Sequence, residues 1–171
     1  MMMLYDMQLR MYKALLFLRG RRPVSAKYLL GYSYLKKENY NQASNYFQQV
    51  AANISSQSSS MEQDAFVRSA DSYFMNRDYS KANGMYSSVI NNALPQSDYA
   101  LFQQAMIAGI KSSAEKIRIL NTLTRQYPAS DLLPDVAMEI ANTYMADEKF
   151  RDAIPYQIGR ASCRERVYSS V

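Results

Sequence analysis

Residues 30–47 read LGYSYLKKENYNQASNYF, and the rest of the chain varies this one design. Leu30, Gly31 and Tyr34 fall at i, i+1 and i+4, which places them on one face of a helix. Ala43, Phe47 and Val50 fall at i, i+4 and i+7 and share a face of a second helix. Asn39 stands between them, three residues before Gln42, where an asparagine side chain caps a helix start. The small Gly31 and Ala43 let two helix backbones approach closely, and the rings of Tyr34, Tyr40 and Phe47 fill the space beside them. The stretch predicts a self-packing helix hairpin.

The same anchors return 39 residues later: Gly31, Tyr34, Tyr40, Ala43 and Phe47 are answered by Ala70, Tyr73, Tyr79, Ala82 and Tyr86. A constant offset across five chemically matched positions marks an internal repeat. The pattern L-G-x2-Y followed by A-x3-F resembles the tetratricopeptide repeat signature, with Lys27 standing where that signature has an aromatic residue. The unit in that family is typically about 34 residues. A polar loop at residues 55–60, SSQSSS, accounts for the extra length here. Ser60 and Gln63 are expected to cap the helix that follows the loop.

Two further pairs follow. In the third, Tyr99, Phe102, Met106 and Ile110 line one face of the first helix, with Ala105 in the place of Gly31. Ser112 and Glu115 read as a capping box that opens a second helix carrying Ile119, Leu120 and Leu123, which ends at Tyr127-Pro128. Its turn is about one residue short of the others. In the fourth pair Ala141, Tyr144, Phe150 and Ala153 keep the internal spacing of Gly31, Tyr34, Tyr40 and Ala43.

The resemblance implies an all-α, right-handed α-solenoid of about three and a half hairpins. The expected repeats span residues 24–54, 61–94, 97–128 and 131–157. Residues 4–19 predict a helix, stopped by Gly20 and Pro23, and residues 1–22 read as the end of a preceding partial repeat. The apolar run within that helix is short and interrupted by Arg10 and Lys13, which argues against a signal peptide. Residues 158–171 break every pattern before them and resemble the translated read-through of a sequencing adapter. They are treated as an artefactual tail, and the array is read as truncated within its fourth hairpin. Cys163 falls in that tail and is assigned no role.

The chain of 171 residues carries a formal net charge of +5, but the surplus sits at its ends. Residues 23–157 hold 12 Lys and Arg against 13 Asp and Glu. A near-neutral body argues against nucleic acid as a partner. The 15 tyrosines could stack bases, but many stand at repeat-core positions. There is no histidine, and no glycine pattern that cradles phosphate. The acidic residues are scattered rather than paired across a site. Catalysis, a cofactor and a metal site are therefore not expected.

In the family resembled, the first helix of each pair lines a concave wall that binds peptides. Carried onto this sequence, that wall is Tyr28, Tyr32 and Leu35; then Val67, Asp71, Phe74 and Met75; then Tyr99, Phe102 and Met106; and then Met138, Asn142 and Met145. The expected groove is apolar, aromatic and rich in methionine, with few charges, and methionine permits loose specificity. Family members that clamp a terminal carboxylate use lysines and asparagines on this wall, whereas here Tyr28 and Tyr32 take comparable places and Lys36 is the basic residue. The resemblance thus implies a protein or peptide partner and a scaffold role. The texture of the chain is also similar to long bacterial cell-envelope members of the family, which implies an envelope or periplasmic setting; the cytoplasm is the alternative. Other roles the sequence admits are a structural spacer in a larger chain, an RNA-binding helical repeat, and self-association through exposed terminal repeats.

Overall fold

The computed structural model describes residues 24–156. The expected helix at 4–19 and the tail at 158–171 lie outside the described residues. Seven helices with defined ends follow one another: α1 Val24–Lys36, α2 Tyr40–Gln48, α3 Ser60–Met75, α4 Tyr79–Asn91, α5 Ser97–Gly109, α6 Ser113–Gln126 and α7 Leu133–Ala146. Residues 150–156 are again helical. The described residues fall into two compact units that divide between Leu94 and Pro95. In the first unit α1 packs on α2, α2 on α3, and α3 on α4; in the second, α5 packs on α6 and α6 on α7.

Small-against-large packing holds the first hairpin together. Phe47 is fully buried, and a Cβ added to Gly31 would stand 2.6 Å from its Cε1. No side chain fits between this backbone and that ring, so glycine sets how closely α1 and α2 approach. Ala43 is fully buried on the facing helix. The second hairpin repeats the scheme with Ala70, Ala82 and Tyr86, all fully buried. Val50 lies past the end of α2 and is half-buried in the turn that follows. The expected ring at Tyr34 stacks on Tyr46 with centroids 5.4 Å apart, and Tyr40 is half-buried.

The turns inside the hairpins are copies too. Glu38, Arg77 and Glu148 have φ of 58°, 62° and 58°. Each follows a helix end whose last carbonyls are closed in the same way: Asn39 N–H donates to Tyr34, Asp78 N–H to Tyr73 and Lys149 N–H to Tyr144. This is the left-handed helix stop that glycine favours, built here from charged residues. The turn between α5 and α6 lacks it. Ser112 N–H bonds to the Ala108 carbonyl instead, which fits a turn one residue shorter. Arg77→Gly should therefore stabilise unit 1 by about 0.5–1 kcal/mol, after allowance for the looser unfolded chain. Lys111→Gly, in the turn without a left-handed residue, should give no gain. Thermal denaturation of the two variants checks this.

Helix starts follow side-chain caps. Asn39 accepts from Gln42 N–H, and Ser112 from Glu115 N–H. The Glu115 carboxylate does not return to the cap; it pairs with Arg118 instead. The cap of α3 is one residue earlier than expected, because Ser59, not Ser60, forms a full capping box with Glu62. Gln63 reaches back to the Ser58 carbonyl.

In the second unit the buried face of α5 is Ala100, Leu101 and Ala105, while Ile110 lies beyond the helix and is 55% exposed. Helix α6 buries Ile117, Leu120 and Leu123, so Ile117 takes the core place expected of Ile119. A Cβ on Gly109 would stand 2.7 Å from Cδ of Lys116, whose Nζ reaches Glu139 of α7 at 2.6 Å. Phe150, placed by spacing in the position of Tyr40, is 56% exposed.

Candidate functional site

Two tyrosines one turn apart on α1 open the site in the first unit. Tyr28 and Tyr32 meet edge to face at 5.0 Å, and both rest against Phe47, at 6.2 and 5.2 Å. Their rings thus belong partly to the core, while their hydroxyls point to α3. Both hydroxyls donate to Oδ2 of Asp64, at 2.7 and 2.5 Å. The other oxygen of Asp64 accepts from Nε of Arg68 at 3.3 Å. Arg68 also donates to Oδ2 of Asp71, whose Oδ1 accepts from the hydroxyl of Tyr86 at 2.7 Å. A continuous polar chain therefore ties α1, α3 and α4 together.

The electrostatics of this chain are cooperative. Burial alone would raise the Asp64 carboxyl, but the hydroxyls of Tyr32 and Tyr28 and the charge of Arg68 outweigh it and hold the group below its ordinary value. Burial pushes Tyr32 far up, and the hydrogen bond to Asp64 adds to it; Tyr28 is raised for the same two reasons. At neutral pH the tyrosines are donors and the carboxylate is charged.

Of the expected binding residues in this unit, Leu35 and Phe74 are half-buried and Met75 is 51% exposed. Phe74 leans on Tyr79 with centroids 5.6 Å apart. Val67 is fully buried and belongs to the core, so it is withdrawn from the surface. Asp71 is held by Arg68 and Tyr86. Asp64, with Arg68 bound to it, lies against the expected binding residues Tyr28 and Tyr32; both were passed over in the sequence. Their signal was available: Asp64, Arg68 and Asp71 are spaced i, i+4, i+7 on one helix, opposite Tyr28 and Tyr32 at i, i+4.

The second unit presents a different surface. Tyr99, Phe102 and Met106 on α5 are half-buried. On α7, Met138 is half-buried, Asn142 exposed and Met145 43% exposed. The three α7 residues share one face at i, i+4, i+7, away from buried Val136, Ile140 and Thr143. Asp98 secures the start of α5, accepting from Tyr99 N–H at 2.7 Å and from the hydroxyl of Ser130 at 2.5 Å. Among the described residues no group of three or more His, Cys, Asp or Glu side chains could hold a metal ion. No helix among them is long and apolar enough to cross a membrane.

Consecutive helix hairpins, two of them in the first unit built on a small residue against a large ring with the same turn inside each, define a helical-repeat fold. Two stretches of the chain, residues 25–53 and 64–97, match the family model for the tetratricopeptide repeat. Among solved structures, the crystal structure of MamA is similar to the chain, at 16% identity with a TM-score of 0.72, covering 96% of this chain and 91% of that one. The fold is thus the all-α, tetratricopeptide-type solenoid that the repeat spacing implied. No curated protein matches the chain. Domains of this kind are generally protein–protein interaction scaffolds, and the fold is typically non-catalytic.

Proposed function

We propose that this chain is a non-catalytic scaffold that binds a protein or peptide through the first helices of its hairpins. The observation that carries the reading is the surface of α3 and its neighbour α1. There a rigid network of Tyr28, Tyr32, Asp64 and Arg68 stands beside the half-buried Leu35 and Phe74 and the exposed Met75. A fixed polar floor with adaptable apolar groups beside it suits recognition: the network adds orientation and the methionine adds tolerance. The residues on α5 and α7 are assigned the same role in their unit, with Tyr99, Phe102, Met106, Met138, Asn142 and Met145 facing the partner.

The test places a photo-crosslinking phenylalanine at Met75 or Met145 in cells of the source. Each is expected to yield one discrete adduct with the same partner. Ser80, exposed on α4, is the control and should yield none. Absence of an adduct from both methionine positions, or an equal adduct from Ser80, would reject the reading in favour of a structural spacer.

A further inference from the structure

On the opposite face of α3 the first unit holds a cavity of about 440 Å³. Phe66 and Tyr73 line it. Helical geometry places them roughly 180° round the helix from Asp64 and Asp71, so this site is separate from the tyrosine–aspartate network. One wall is the end of α2 with Asn53 and Ile54; the other is α4 with Lys81 and Gly84. The volume falls within the range of about 300–1,000 Å³ that is usual for ligand sites.

Two independent observations suggest that the cavity is built for an occupant. The first is the inserted length. Residues 54–63 fall between the two stretches that the family model matches, and Ile54, at the start of that gap, lines the cavity. The additional residues that stretch the repeat to 39 thus adjoin one wall. The second is Gly84. A glycine inside a helix costs about 1 kcal/mol relative to alanine. At Gly31 a buried ring explains the glycine, but a Cβ on Gly84 would meet nothing within 4 Å. Among the described residues no neighbour requires glycine there, whereas an occupant lying against the backbone of α4 would.

The lining specifies the occupant. Lys81 is the charged residue among the described lining residues, and its Nζ is held over the Tyr73 ring at 5.1 Å and by Asp78 at 2.8 Å. Asn53 and Gln48 present exposed amides suited to peptide N–H and C=O groups. Phe66 and Tyr73 offer an apolar floor. We propose that this cavity is a second binding site, for an extended peptide segment that places an apolar side chain on Phe66 and Tyr73 and an adjacent carboxylate near Lys81. The site does not depend on the partner-binding role of the first helices.

The test uses the full chain, labelled with ¹⁵N and titrated with acetyl-Leu-Asp-Leu-amide and, separately, acetyl-Leu-Lys-Leu-amide. Saturable shifts of the Asn53 and Gly84 amides are expected with the aspartyl peptide, and binding at least about tenfold weaker with the lysyl peptide, the size of a charge-assisted contact of about 1.4 kcal/mol. Gly84→Leu should fill the open space and abolish the shifts while the helical circular dichroism and Tm are retained. Lys81→Met should erase the preference for the aspartyl peptide. Equal response to both peptides, no saturation at millimolar concentration, or unaltered binding by folded Gly84→Leu protein would overturn the proposal.

Discussion

Phe47→Ala is expected to destabilise the first unit by about 3–5 kcal/mol, the range for emptying a buried aromatic site. The ring touches Gly31 of its partner helix and supports both Tyr28 and Tyr32, so its loss opens a cavity and loosens the polar network at once. The mirror substitution, Gly31→Ala, should cost about 1–3 kcal/mol by overpacking, because the new methyl has no room beside the ring. The two are coupled. In the Phe47→Ala background the added methyl enters vacated space, so Gly31→Ala should cost markedly less there, with a coupling of about 1 kcal/mol or more. Urea denaturation of the four proteins measures the cycle. Simple additivity would show that the contact does not set the helix spacing.

Asp64→Ala should also be damaging, at about 1–3 kcal/mol, because two tyrosine hydroxyls lose their acceptor and Arg68 loses one of its carboxylates. The Asp64 side chain remains 21% exposed, and solvent screening keeps the expected value at the lower end of this range. The network also sets a pH profile. The carboxyl of Asp64 lies below its ordinary 3.8 in the fold, so its contribution is present above that value and is lost as pH falls further. Tyr28 and Tyr32 lie above their ordinary 10.0, so their contribution is complete below pH 10.0 and is lost as pH rises beyond it. Tyr32→Phe should flatten the alkaline limb and also shrink the acid limb, because the Tyr32 hydroxyl is the strongest of the groups that hold Asp64 down against its burial. Stability measured by urea denaturation across pH checks both limbs.

The hairpins were legible because they rest on residue size at fixed spacing. Gly31 with Phe47 and the offset of 39 report backbone approach directly, and the structure packs them as the spacing required. The core of the third hairpin was legible only in part. Ala105, read in the place of Gly31, is buried, but apolar residues run nearly all round α5, so periodicity alone could not show that Ala100 and Leu101 join it in the core. Small residues carry little signal in such a pattern even where they make the contact. The site was harder to read. Val67 differs little from a surface apolar residue in sequence, yet it is fully buried. Asp64 and Arg68 look like ordinary solvated charges until α1 brings two hydroxyls to them, a relation between repeats that no single helix pattern contains.

Gly109 has a consequence for how such a protein drifts. In the first hairpin, bulk and gap are assigned to fixed positions, and neither can change without the other. In the second unit the bulk beside Gly109 is the stem of Lys116, a flexible chain anchored at its tip by Glu139. A lysine stem can swing aside for a methyl group, so Gly109 is free to mutate where Gly31 is not. Gly109→Ala should therefore leave the fold intact where Gly31→Ala strains it.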